Sequence, residues 1–246
     1  MKRIGTYGDK GVKRMKRLLL NLLFPPHCPG CGASVPDEGA WCAPCIERYA
    51  CPILVKHEGR HPERVWSAAV YAGGMKHVLQ DIKFNGKKER GPGLAPFLQS
   101  FRHVIDEAAR AGASTGNPRI VVVPIPVGAK KRKERGYNQV DYIFGDWARA
   151  SGYVRADVLV KRDDTVKMWS LTKNERRENL QCAFSVKENA SSILTKRDSV
   201  LLVDDIYTTG ATMTAAAEVL RTYGVGRIFG LTVAGGSGTR LDIERR

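Results

Sequence analysis

Two short apolar runs constrain the fold of this chain more than any other feature. Ile120-Val121-Val122-Val123, ended by Pro124, and Val200-Leu201-Leu202-Val203, ended by Asp204, carry no polar residue at alternate positions. A strand with one wet face alternates, whereas a continuous apolar run fits a strand buried on both faces, and such strands belong to parallel sheets covered by helices. The intervening segments supply those helices. Met75, Val78, Leu79 and Ile82 recur at helical spacing before Asn85-Gly86, and Leu94, Phe97, Leu98, Phe101, Ile105 and Ala108 repeat the pattern. Val140, Ile143, Phe144 and Trp147 mark a third helix, and Met213 to Tyr223, capped by Gly224, a fourth. Further strands are expected at Val65 to Ala72, Val158 to Val160 and Ile228 to Ala234. The alternation predicts an α/β doubly wound parallel sheet flanked by helices.

Composition excludes several other classes. The 246 residues are 43% hydrophobic and 26% charged, so the chain is neither a disordered polyelectrolyte nor collagen-like. The longest apolar run, Leu18 to Phe24, is interrupted by Asn21, and a membrane-spanning helix needs about 20 apolar residues. No membrane span is expected. The basic start leads into Pro25-Pro26-His27-Cys28 with no small-residue cleavage site, which argues against a signal peptide and for a cytoplasmic protein. Lys and Arg outnumber Asp and Glu by 40 − 25 = 15, an excess that favours polyanionic or phosphorylated partners.

Cys28-Pro-Gly-Cys31 and Cys42-Ala-Pro-Cys45 form two C-x-x-C pairs that enclose residues 32 to 41. Four thiolates at this spacing satisfy a structural Zn²⁺, whose binding would help fold a segment too small for a core of its own. A redox dithiol and an iron–sulfur cluster are the alternatives. Cys51 and Cys182 fit no pair.

The most informative segment for chemistry is Val200 to Thr212. There a buried strand delivers Asp204 and Asp205 to its C-terminal end, where ligands bind in open α/β sheets. Thr208, Thr209, Gly210, Ala211 and Thr212 then place hydroxyls and backbone amides at a helix start, a site for a phosphate group. The two carboxylates point in different directions and can accept hydrogen bonds from adjacent sugar hydroxyls. Together they point to a ribose 5-phosphate.

Val200 to Thr212 resembles the phosphoribosyl pyrophosphate (PRPP) signature of type I phosphoribosyltransferases. Other stretches narrow the resemblance to ComF-family proteins: the cysteine module, Ile82-Lys83-Phe84 with Gly86, Val123-Pro124-Ile125-Pro126, Arg135-Gly136-Tyr137-Asn138-Gln139, and Glu175 to Asn179 before Ala183-Phe184. The resemblance implies a basic tail over 1–17, a zinc-binding module over 18–60, a phosphoribosyltransferase-like domain over 61–236 and a C-terminal tail over 237–246. It makes Asp204 and Asp205 the ribose-binding carboxylates, residues 208–212 the 5-phosphate loop, and Pro126, Val127 and Gly128 the pyrophosphate loop. Residues 163–182 match a hood over the site. The family shows Gln where this chain has Met168, and Phe where it has Tyr137.

The activity so implied is Mg²⁺-dependent phosphoribosyl transfer from PRPP to an unspecified acceptor, in a protein associated with competence and DNA uptake. In such a transfer C1 of the ribose gains oxocarbenium character as pyrophosphate leaves, so the leaving group needs neutralisation and the site must exclude water. Mg²⁺ held mainly by pyrophosphate and ribose oxygens suits that task. Arg135, and Arg176 or Arg177 on the hood, are the expected phosphate clamps. Two alternatives stand beside this reading: a non-catalytic accessory protein that binds single-stranded DNA, or a PRPP-sensing regulator. The run Lys130, Lys131, Arg132, Lys133 and Arg135 serves either a phosphate or a nucleic-acid backbone.

Overall fold

The computed structural model describes residues 24–57, 59–111, 118–162 and 183–242. Its strands are β1 (Ala50–Val55), β2 (Arg64–Ala69), β3 (Ile120–Pro124), β4 (Val154–Arg155), β5 (Leu159–Lys161), β6 (Phe184–Val186), β7 (Ser199–Tyr207), β8 (Arg227–Gly235) and β9 (Gly238–Arg240). Its helices are α1 (Ala43–Tyr49), α2 (Gly73–Phe84), α3 (Ala95–Leu98), α4 (Phe101–Arg110), α5 (Ala129–Arg135), α6 (Gln139–Ala150) and α7 (Ala211–Tyr223). Seven strands make the main sheet, in the order β4-β3-β7-β8-β2-β1-β9. The pairs from β4 to β2 are parallel, while β1 runs antiparallel to both β2 and β9. The expected parallel sheet is therefore present, with a mixed edge added.

The two apolar runs behave as double-sided strands. Val122, Leu201 and Val203 face one apolar layer with α2, α4 and α6, while Val121, Val123, Val200 and Leu202 face another with Met213, Ala216, Ala217 and Leu220 of α7. That period-two division follows from the pleat. Cys28, Val35, Trp41 and Cys45 belong to the first of these layers, where the Trp41 ring meets Phe97 edge-on at 5.2 Å. The cysteine module is thus packed onto the sheet's helical cover. Residues 18–60 also contribute β1 to the main sheet, and residues 237–246 contribute β9.

Three elements differ from expectation. The helix expected from Leu94 to Ala108 divides into α3 and α4, because at the junction the Arg102 amide reaches only the Gln99 carbonyl, in a tighter three-residue turn. The strand expected at Val158 to Val160 is β5, which pairs with β6 in a separate antiparallel hairpin rather than joining the main sheet. The run 129–135 forms α5, built from good helix formers and stopped by Gly136 at φ +80°.

The connections set the site. The chain leaves β3 through α5 and α6 toward β4 on one side, and leaves β7 through α7 toward β8 on the other. Because β3 and β7 are neighbours, their outgoing segments diverge and open a crevice at the strands' C-terminal ends. Among the described residues no helix is long and apolar enough to cross a membrane.

Candidate active site

A cleft of about 270 Å³ occupies that crevice, between Ile125 to Gly128 after β3 and Asp204 to Thr212 at the end of β7. Lys83, Lys131, Arg135, Gln139 and Lys161 complete its cationic and polar wall. Of the expected site residues, Pro126, Val127, Gly128, Arg135, Asp204, Asp205, Thr208 and Thr212 line it. Thr209, Gly210 and Ala211 lie between the last two. Arg176, Arg177 and Met168 fall outside the described residues.

The loop from Thr208 to Thr212 has a well-defined physical basis. Gly210 takes φ +79°, and a Cβ built there would lie 2.1 Å from the Tyr207 hydroxyl, so only glycine fits. Ala211 donates its amide to Thr209 Oγ1 at 3.4 Å. The amides of Thr209 and Gly210 have no partner among the described residues, and the first amides of α7 lack intrahelical acceptors by geometry. The loop therefore presents open donors at the positive end of a helix of 13 residues.

Strand alternation sends the two aspartates to opposite faces of β7. Asp205, 3% exposed, is held on the side of α2 and α6. Lys83 Nζ lies 3.1 Å and Gln139 Nε2 3.2 Å from its Oδ2, and the Ile206 amide donates to its Oδ1 at 2.9 Å. Asp204 is half-buried and, among the described residues, accepts only the Asp205 amide, at 2.8 Å. Burial and the adjacent Asp205 carboxylate hold the Asp204 carboxyl well above the usual carboxylate range. One aspartate is thus held in place, while the other keeps acceptor capacity toward the cleft.

Two sequence stretches interlock behind Asp205. Arg135 donates to the Gln139 Oε1, and its guanidinium lies 5.8 Å from the centre of the Phe84 ring. Tyr137 donates its hydroxyl to the Ile82 carbonyl, and Asn138 donates to the Ile125 carbonyl at 3.0 Å while accepting the Val140 amide as the cap of α6. So Ile82-Lys83-Phe84 and Arg135 to Gln139 form one support for the cleft floor. Lys83 and Gln139 were not among the site residues expected from sequence. A lysine and a neutral amide sharing one buried carboxylate is a tertiary fact with no local signature.

A second depression, of about 220 Å³, lies at the opposite end of β3 between Arg102, Asp106, Arg119 and Tyr153. Arg119 is bound there to Asp198 and the Ile193 carbonyl, and Asp106 accepts from Tyr153 at 2.8 Å. Much of its polar equipment is already engaged.

The ligand atoms of Cys28, Cys31, Cys42 and Cys45 all lie within 4.8 Å of one another. Tetrahedral Zn²⁺ with bonds of about 2.3 Å requires sulfurs about 3.8 Å apart, so the donor set fits it. Burial opposes ionisation of Cys28, but the amides of Cys42, Gly30 and Cys31 bring its thiol down to about 7. Burial and the neighbouring thiols push Cys45 up. Four thiols at this separation cannot all ionise without a cation to gather them.

The phosphoribosyl transferase domain model matches residues 97–244, more than half of the chain. The chain belongs to that family. A double zinc ribbon domain model matches residues 19–56, around the four cysteines. Competence protein F of Haemophilus influenzae is 26% identical over 210 residues, covering 82% of each chain. Competence protein ComFC of Bacillus subtilis is 28% identical over 156 residues, 63% of this chain and 56% of the relative. Adenine phosphoribosyltransferase from Saccharomyces cerevisiae matches 60% of this chain and 71% of that one, at 20% identity and a TM-score of 0.34. The phosphoribosyltransferase fold, the homology to competence proteins and the four-cysteine zinc module expected from sequence are thus established, the module as a zinc ribbon.

Proposed function

We propose that the cleft binds PRPP and that the protein transfers its phosphoribosyl group to an acceptor. The observation that carries this reading is that Thr208 and Thr212 of the loop before α7, Asp204, Lys131 and Arg135 line one cleft. Thr208, Thr209, Gly210, Ala211 and Thr212 hold the 5-phosphate through amides, hydroxyls and the helix start. Asp204 accepts hydrogen bonds from the ribose hydroxyls, and Asp205 adds its remaining acceptor position. Pro126, Val127 and Gly128 bring backbone against the pyrophosphate, whose charge Lys131 and Arg135 offset; Arg176 and Arg177, outside the described residues, are proposed as further phosphate clamps.

The reaction breaks the C1–oxygen bond to pyrophosphate as the acceptor attacks. The residues around the leaving group stabilise its charge, and no protein nucleophile is required. The oxygen donors of Asp204 and the threonines suit a hard cation such as Mg²⁺, which when bound supplies further neutralisation of pyrophosphate. Calorimetric titration with PRPP and Mg²⁺ tests the reading. Saturable heat in the wild type that disappears in Asp204→Asn/Asp205→Asn supports it, and no heat in the wild type contradicts it. Binding without pyrophosphate release would instead identify a PRPP sensor.

A second reading rests on the names of the relatives, which include the competence proteins and the DNA utilization protein YhgH of Escherichia coli, 24% identical over 199 residues. It makes this protein a cytoplasmic accessory factor of DNA uptake that contacts single-stranded DNA or the uptake machinery, with α5 and the net charge of +15 as its attraction. Affinity for single-stranded DNA then falls steeply with salt, and a flat response contradicts it.

A further inference from the structure

The side chains that carry Arg135 and Asp205 meet at a single buried amide. Gln139 is 3% exposed on the first turn of α6; its Oε1 accepts from the Arg135 guanidinium and its Nε2 donates to Asp205 Oδ2. A guanidinium only donates and a carboxylate only accepts, so the residue between them must offer one acceptor and one donor. Of the common neutral side chains of this length, glutamine does so with a fixed separation. Glutamate would face Asp205 with a second negative charge, and lysine would face Arg135 with a second positive one. Low solvent access makes both bonds stronger and their loss more costly than at the surface.

We infer that Gln139 is a positioning residue that ties Arg135, at the leaving-group end of the cleft, to Asp205, at the ribose end, so that each end is ordered by the other. The inference rests on the reading of this cleft as a PRPP site. Lys83 secures the arrangement from the opposite side by sharing the same Asp205 oxygen, at 3.1 Å. Without the amide, Arg135 loses the acceptor that fixes its direction, and Asp205 keeps only the ammonium of Lys83 and the Ile206 amide. Gln139 touches no ligand in this scheme and acts through the groups it orients.

The test uses the full zinc-loaded chain and two probes, ribose 5-phosphate and inorganic pyrophosphate with Mg²⁺, each titrated by calorimetry. Gln139→Glu keeps an acceptor for Arg135 and opposes Asp205. It should weaken ribose 5-phosphate about tenfold, within the range of couplings between contacting residues, and leave pyrophosphate within about twofold. Gln139→Met, similar in length and apolar, should weaken both probes while keeping a cooperative melt. A residue that merely fills space would produce no split between the probes, and equal changes on both in Gln139→Glu overturn the inference. If Gln139→Glu does not fold, Gln139→Met decides: unchanged binding of either probe overturns the inference. Failure of the wild type to bind PRPP or ribose 5-phosphate overturns the reading of the cleft itself, and the inference with it.

Discussion

Replacing Gly210 by alanine tests the loop on which the proposed function depends. Two costs follow from its geometry. Alanine at φ +79° adopts a left-handed conformation, at about 1–2 kcal/mol. Its Cβ would also lie 2.1 Å from the Tyr207 hydroxyl and 2.6 Å from Cζ, well inside ordinary contact. Tyr207 is 8% exposed and packs in the layer with Val55 and Met213, so it cannot swing clear, and overpacking of this kind adds about 1–3 kcal/mol. Together these predict a loss of about 2–5 kcal/mol in urea denaturation and, for a chain of this size, a melting point lower by about 10 °C. The loop must shift away from Tyr207, so PRPP affinity should fall at least about tenfold. In a Tyr207→Phe background the nearest atom becomes the ring carbon, and the stability penalty should shrink by about 1 kcal/mol. A shift under about 0.5 kcal/mol, or the same penalty in both backgrounds, would refute the account of this turn.

Other perturbations have expected directions. Asp204→Asn should stabilise the unliganded protein near pH 7 by about 1 kcal/mol while abolishing PRPP binding, because a group placed for a ligand destabilises the empty fold. The sign follows from its raised folded-state proton affinity: wild-type stability falls as pH climbs from the unfolded carboxylate range into the folded one. The advantage of Asp204→Asn should therefore fade below about pH 4, and a constant gap across pH in thermal melts would contradict it. Chelation of zinc should release one metal per chain, measured by a chromophoric indicator, and lower the melting point, since Cys28 and Cys45 sit in the first core layer. Gly74→Ala should destabilise by at least about 2 kcal/mol in urea, because its Cβ would meet the Pro29 carbonyl at 2.4 Å, where α2 docks on the zinc ribbon. An unchanged urea midpoint would mean that this contact is not close.

The elements that could be read from the chain are those whose burial writes a period into it. β3 and β7 are apolar on both faces, and α6 and α7 carry full apolar stripes, so their existence and the parallel sheet followed. β4, of two residues, and β9, of three, are too short to show a period. β1 hides behind Cys51 and Pro52, and α5 has no apolar stripe because neither of its faces is buried. The candidate phosphate loop stood out because glycine, threonines and a helix start cluster within a few residues. Lys83 and Gln139 were not, since their role exists only once α2 and α6 converge on Asp205. Asp204 and Asp205 looked equivalent in the chain, and their different surroundings arise from the alternating faces of β7.

The most direct test is a crystal structure of the full chain with PRPP and Mg²⁺. The account predicts the 5-phosphate within hydrogen-bond distance of the amides from Thr209 to Thr212, the ribose hydroxyls on Asp204, and the pyrophosphate between Gly128 and Arg135. PRPP bound away from this cleft, or turned so that its 5-phosphate lies against Arg135, would contradict it.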